Sequence, residues 1–240
     1  MDISSGKVTG LAGVLLKVGI VALLVLGVSL AQKPSGNGKT VMSSEAAVML
    51  NAVDEAQSSA TSYRMRMAEQ NSSMNRILTQ EVSCPGRKHI SMAEKGKVKS
   101  DTYQIDGAEY AKSARGHVWH KIPAPYGITS KTVSGCPGGP DDYLGGSFNL
   151  SQLIRDIRIG QRKGTTEISK GDSTNVNGQR CEIWDIVTKN LLNETESIEL
   201  CIRSKDSLPL RISMDEPEGT TQVTYWDWNS PNIKIGPQPN

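Results

Sequence analysis

Apolar residues recur along this chain with two different periods, and the change of period marks its elements. From Ser43 to Ala60 apolar side chains return every three or four positions, with Ser43 or Ser44 available as the N-cap. A second, shorter pattern of the same kind runs from Leu150 to Ile157. The sequence therefore predicts one long helix near the start of the domain and one short central helix.

Most of the remaining chain alternates with a period of two. In Tyr63-Arg64-Met65-Arg66-Met67 the apolar residues share one face and the arginines the other, as in an antiparallel strand with one side in water. Similar runs between turn signals predict further strands at Ile77–Cys84, Lys88–Met92, Lys97–Ile105, Glu109–Ser113, Val118–Ile122, Thr165–Lys170, Gln179–Thr188, Ser197–Ser204, Pro209–Asp215 and Thr221–Asn229. The predicted fold class is α+β, with a large antiparallel sheet.

The N-terminus has the pattern of an export signal. Lys7 and Lys17 precede an uncharged apolar run from Val18 to Ala31, and the run ends in Ser29-Leu30-Ala31, a pattern typical of signal-peptidase cleavage. The alternative is an uncleaved inner-membrane anchor, but this run is shorter than the about 20 apolar residues that a span needs. We expect a signal peptide at 1–31, a polar linker at 32–42 and one domain at 43–240. This organisation predicts a periplasmic or secreted protein.

Four cysteines form an even set in a chain with this export pattern, which favours disulfides between Cys84, Cys136, Cys181 and Cys201. Three connectivities are open. The pair Cys181 and Cys201 is favoured, because the segments around them resemble two strands of one hairpin, and this leaves Cys84 with Cys136.

The hairpin interpretation also predicts a register. If Cys181 and Cys201 are directly opposed, Trp184 lies opposite Ile198 and Ile186 lies opposite Glu196. The face opposite the sulfurs then carries five bulky apolar residues: Trp184, Ile186, Ile198, Leu200 and Ile202. Such a face must be covered, either by a helix or by a hydrophobic ligand.

Charge and motifs exclude several function classes. The full chain has 27 basic and 25 acidic residues, and removing 1–31 takes away Lys7, Lys17 and Asp2, which leaves 25 and 24 and a net charge of +1. Nucleic-acid binding needs clustered excess cations, which this balance does not supply. His117 and His120 are three apart, which on a strand places them on opposite faces, so they do not share a metal. We expect no cofactor, no metal site and no catalytic constellation.

Seven apolar residues of the predicted strands are candidates for lining a ligand cavity. The alternative is that they form ordinary core beneath the helices. Trp119, with Tyr110, is also expected to anchor the curved sheet. The candidates are Tyr63, Met65, Met67, Met92, Trp119, Trp184 and Ile198.

The order of elements resembles the periplasmic lipoprotein-carrier superfamily of the LolA/LolB type and its mycobacterial lipid-binding relatives of the LppX/LprG type. Three stretches carry the resemblance: "YRMRM" in the first strand, "YQIDGAEYAKSARGHVWHKIP" in the middle strands, and "LPLRISM" followed by "TTQVTYWDWNSPNIKIGP" near the end. It covers most of residues 43–237. Two disulfides and the absence of a cysteine after the signal set this chain apart, and the alternation points Arg64 and Arg66 away from Met65 and Met67.

The resemblance implies a half-open antiparallel β-barrel closed by the two helices over an acyl-chain cavity. It further implies a non-enzymatic, monomeric protein that binds or carries a lipid or a lipoprotein acyl chain and contacts the membrane transiently. The alternative, also implied by the resemblance, is an envelope sensor of the RseB type that uses the same fold to bind a protein partner.

Overall fold

One antiparallel sheet of eleven strands and two helices make up the described part of the chain. The computed structural model describes residues 43–84, 86–105, 108–112, 118–122, 148–189, 194–217 and 219–235. The predicted signal peptide, the predicted linker and Cys136 lie outside these residues. The expectations about them therefore stay predictions.

The sheet is strongly curved and is not closed into a barrel within the described strands. Its spatial order is β6-β5-β4-β3-β2-β1-β11-β10-β9-β8-β7, so β1 pairs with β11 and joins the two halves of the chain. The strands are β1 (Ser62–Asn71), β2 (Asn75–Ser83), β3 (Arg87–Glu94), β4 (Lys97–Ile105), β5 (Ala108–Lys112), β6 (Trp119–Ile122), β7 (Thr166–Val176), β8 (Gln179–Lys189), β9 (Thr195–Arg203), β10 (Pro209–Glu216) and β11 (Gly219–Trp226). All predicted strands are present.

Both helices start at the caps that their sequences supply. Helix α1 (Ser44–Ser58) begins after Ser43, whose hydroxyl accepts a hydrogen bond from the Ala46 amide at 3.1 Å. Helix α2 (Leu150–Lys163) begins after Asn149 in the same way. Among the described residues, no helix is long and apolar enough to cross a membrane.

The expectation of one long and one short helix is wrong, because α1 has 15 residues and α2 has 14. The apolar pattern of α2 stops at Ile157, but the helix continues to Gly164, which ends it at a φ of 72°. Gly160 lacks the Cβ that would overlap the side chain of Thr166, so this last turn can lie directly against β7. The last turn thus packs against β7 through a glycine rather than through an apolar side chain.

The two faces of the sheet differ in burial, as the alternation in β1 predicts. Met65 and Met67 are 1% and 4% exposed, whereas Arg66 between them is exposed. We call the face that bears Met65 and Met67 the inner face and the other the outer face. The main apolar cluster contains inner-face residues together with Leu50 of α1 and Ile154 of α2, so both helices contribute to the core of the sheet.

Polar contacts connect the helices with each other and with the sheet. Arg158 of α2 donates to the Asp54 carboxylate at 3.0 Å and to the Asn51 side chain at 2.9 Å, both on α1. Lys170 of β7 reaches Glu45 of α1 at 3.1 Å. These are partly exposed interactions, so the apolar cluster rather than these pairs supplies most of the stabilisation.

Candidate ligand-binding face

A continuous row of apolar side chains crosses the inner face of seven strands. Directly paired residues lie on the same face of a sheet. From β3 to β8 the pairing connects, in order, Met92, Leu78, Met67, Val223, Ile212, Leu200 and Trp184. Three candidates from the sequence analysis, Met67, Met92 and Trp184, therefore belong to one row, although Met92 and Trp184 are far apart in the chain.

Six of the seven candidates lie on the inner face. Tyr63, Met65, Met67 and Trp184 are buried in the main cluster, and Ile198 packs against it half-buried. Met92 is also half-buried and pairs with Leu78. The row is therefore fully buried at its centre and less covered on β3.

Trp119 does not belong with the other six. It packs on the outer face, edge-on to Tyr103 with ring centroids 4.5 Å apart, in a second cluster with Ile233 and Ile235. Its position there follows from the pairing of β4, β5 and β6, which the alternation within one strand does not reveal. Trp119 helps to hold the C-terminal segment against the sheet.

Two polar residues on the inner face were missed by the sequence analysis. Gln80 is 1% exposed and donates to the Tyr63 hydroxyl at 3.0 Å, while its carboxamide oxygen has no hydrogen-bond partner among the described residues. Lys88 is 4% exposed. The spacing of Lys88, Ile90 and Met92 could have revealed the lysine, since residues two apart on a strand share a face.

The Cys181–Cys201 disulfide is present, but the register predicted from it is wrong by two residues. Cys181 pairs with Arg203, and Ile183 pairs with Cys201, so the bridge is diagonal, with its Cα atoms 5.5 Å apart. The twist of a sheet shortens one diagonal enough for a bridge. A shift of two preserves the face, so Trp184 and Ile186 still lie opposite the sulfurs. Cys84 is also in a disulfide.

A charged network crosses three strands on the outer face. Arg64 of β1 donates to Glu81 of β2 at 2.6 Å and to Asp227 at 2.5 Å. His89 of β3 lies between two carboxylates, with Nδ1 3.3 Å from Glu81 and Nε2 2.7 Å from Asp101. The imidazole ring stacks on the ring of Tyr103, with the ring centroids 4.2 Å apart. His89 thus belongs to this hydrogen-bonded network, and among the described residues no group of three His, Cys, Asp or Glu side chains is placed to hold a metal ion.

This network makes stability depend on acid pH. Burial alone tends to raise the pKa of Glu81, but hydrogen bonds donated by Arg64 and His89 outweigh it and lower the pKa below the ordinary 4.5. A depressed carboxylate pKa stabilises the fold above the unfolded-state pKa, and this contribution is lost as pH falls through the folded-state pKa. We expect Glu81→Gln to destabilise the protein at pH 7 and the difference from wild type to shrink towards acid pH, as measured by urea denaturation.

The control is Glu55→Gln, at an exposed helix position with no ion pair among the described residues. Its difference from wild type should be small at every pH. A Glu81→Gln difference that stays constant down to the acid transition would contradict the linkage.

The fold is that of two mycobacterial proteins of known structure. The chain matches LprF from Mycobacterium bovis with a TM-score of 0.56 and 14% identity, over 82% of this chain and 97% of that one. It matches the lipoprotein LppX from Mycobacterium tuberculosis with a TM-score of 0.51 and 10% identity, over 79% and 97%. No protein-family model matches the sequence, and no curated protein aligns with it significantly.

Proposed function

We propose that this protein is an exported, non-enzymatic carrier that holds the acyl chain of a lipid or lipoprotein against the inner face of a half-barrel closed by α1 and α2. The observation that carries the proposal is the apolar row from Trp184 to Met92, which is buried under the helices at its centre and half-buried on β3. An acyl chain would extend this row across β3 and β4.

The candidate contacts follow from the graded burial. Met92 and Ile90 are half-buried on the inner face of β3, and Thr102 of β4 pairs with Ile90. Methionine adapts its flexible thioether to guests of different shape. Tyr63, Met65, Met67, Trp184 and Ile198 form the apolar floor beside this strand, and Trp119 is left out because it lies on the outer face.

The fold and the disulfides support the same proposal. The chain shares its fold with the lipoprotein LppX and with LprF, and at this identity only the architecture carries over. Disulfides form in oxidising compartments, which supports a periplasmic or secreted location. Transient membrane contact and a monomeric state are further parts of the proposal.

The first test is native mass spectrometry of the mature protein purified from its own cell envelope, followed by organic extraction. We expect a mass increment that disappears on extraction and an acyl lipid in the organic phase. A bare chain that instead retains a protein from the same extract would contradict the carrier and favour an envelope sensor.

A second test uses Met92→Asp, with Val98→Asp as the matched control. A carboxylate at Met92 must be desolvated beside a bound acyl chain, so we expect the affinity for a fluorescent fatty acid to fall about tenfold or more. Val98 is 67% exposed on the neighbouring strand β4, and its variant should bind normally. Equal affinities of both variants, with circular dichroism spectra like that of wild type, would contradict binding at β3.

A further inference from the structure

An open pocket of about 510 Å³, lined by polar residues and one tryptophan, lies on the outer face, away from the apolar row. Arg66 and Thr224, paired across β1 and β11, lie on one side, and the turn between β7 and β8 contributes its own side chains. The six lining residues are Arg66, Asn177, Gln179, Thr224, Trp226 and Asp227. The acyl-chain proposal uses none of them.

The pocket is prearranged on its β7–β8 side. Arg203 is held by Asp206 through hydrogen bonds of 2.6 and 2.7 Å, and it donates to the Gln179 carboxamide oxygen at 2.6 Å. The oxygen of Gln179 is therefore occupied, and its amino group remains as a donor. Asn177 has a φ of 52° and precedes Gly178 at 75°, the two positive values that a tight hairpin turn requires.

The opposite side of the pocket is equally fixed. Asp227 has a φ of 55° and accepts a hydrogen bond from Arg64. Just beyond it, the Asn229 amide donates to the Ser62 carbonyl at 2.8 Å, and the Asn229 side chain accepts from the Thr61 amide at 2.7 Å. Non-glycine residues whose backbone is held in the left-handed region by the surrounding structure cluster at binding sites. Such rigidity lowers the entropy lost on binding.

Two of the lining residues are charged: Asp227 is already paired with Arg64, which leaves Arg66 as the group that would meet an anionic ligand. Arg66 is exposed and has no hydrogen bond or ion pair with any other described residue. The neighbouring Arg64, in contrast, is engaged by both Glu81 and Asp227. A guanidinium binds carboxylate or phosphate oxygens in a two-pronged geometry, so Arg66 is the group that such an anion would meet.

The remaining lining residues suit a ring that carries hydroxyl groups. Trp226 contributes an aromatic side chain to the lining, and Asn177, Gln179 and Thr224 contribute hydrogen-bond donors and acceptors. A flat aromatic acid would satisfy Trp226 and Arg66 but leave these neutral polar groups without partners. Sugar hydroxyls both donate and accept, and one or two sugar rings fit the volume. We propose that the pocket binds an anionic sugar, with its ring against Trp226 and its carboxylate or phosphate on Arg66.

Isothermal titration calorimetry with three probes tests the proposal: cellobiouronic acid, its neutral counterpart cellobiose, and inorganic phosphate. We expect wild type to bind cellobiouronic acid more tightly than either of the other probes. Arg66→Gln should weaken that binding about tenfold or more, because a charge-assisted hydrogen bond is lost, and should leave cellobiose unaffected. The affinity of Arg66→Lys for cellobiouronic acid should lie between those of wild type and Arg66→Gln, since lysine keeps the positive charge but lacks the two-pronged geometry of the guanidinium.

Arg180→Gln is the matched control, because Arg180 is an exposed arginine of β8 next to the pocket turn and is not among its lining residues. Its affinity for cellobiouronic acid should equal that of wild type. The site would be disproved if neither disaccharide binds, or if Arg66→Gln and wild type bind cellobiouronic acid equally. Phosphate binding as tight as that of the uronic acid would overturn the sugar part of the proposal.

Discussion

Replacing Leu50 by alanine is expected to lower the free energy of unfolding by about 3 kcal/mol, through the lost burial and the cavity that remains. Leu50 is 0% exposed and belongs to the cluster that joins α1 to the inner face. The measurement is urea denaturation at pH 7, with the same slope assumed for both proteins.

Val48→Ala on the same helix is the control. Val48 is 67% exposed, so its substitution should change the free energy of unfolding by less than about 0.5 kcal/mol. Equal effects of the two substitutions would contradict the packing of α1 against the sheet, and with it the covered half-barrel on which the carrier proposal rests.

Removing the diagonal disulfide is expected to have an effect of similar size. The double variant Cys181→Ala/Cys201→Ala should lose about 3 kcal/mol, because the bridge closes a loop of 20 residues and restricts the unfolded chain. Both cysteines are 0% exposed beside Leu210, so the double substitution also avoids leaving an unpaired buried thiol. Urea denaturation measures the loss under oxidising conditions.

The control for the disulfide is wild type under reducing conditions, where both bridges are open. Its stability should fall below that of the double variant, which keeps the bond at Cys84. Peptide mapping that joins Cys181 to Cys84 or to Cys136 would contradict the connectivity and the register built on it.

In the hairpin that contains Cys181 and Cys201, the sequence predicts the faces of the strands better than their register. The face on which Trp184 and Ile186 lie was predicted correctly from a register that was itself wrong. A slip of two residues moves every pair but turns no side chain over, because the strand period is two. The face is therefore robust to such an error, whereas the identity of each cross-strand partner is not.

Helix α2 depends both on local signals and on a contact with another element. The start and the end of α2 were predictable from the local caps Asn149 and Gly164, whereas the packing of its last turn depends on how closely Gly160 approaches Thr166 of β7. That contact joins two elements, so no pattern within the helix predicts it. Trp119 is similar, since its aromatic character predicted an anchor and the pairing of three strands decided the face.

The sequence by itself determined the elements of this protein, the strand faces of Tyr63, Met65 and Met67, and the cysteines available for bridges. These properties depend on local backbone geometry and on the alternation of side chains along a strand. Only the tertiary structure decided that β1 pairs with β11. That pairing aligns Met67 with Val223 in the apolar row and brings Arg66 beside Thr224 in the outer pocket. Contacts between residues so distant in the chain depend on which strands become neighbours, and the pattern within any one strand does not specify its neighbour.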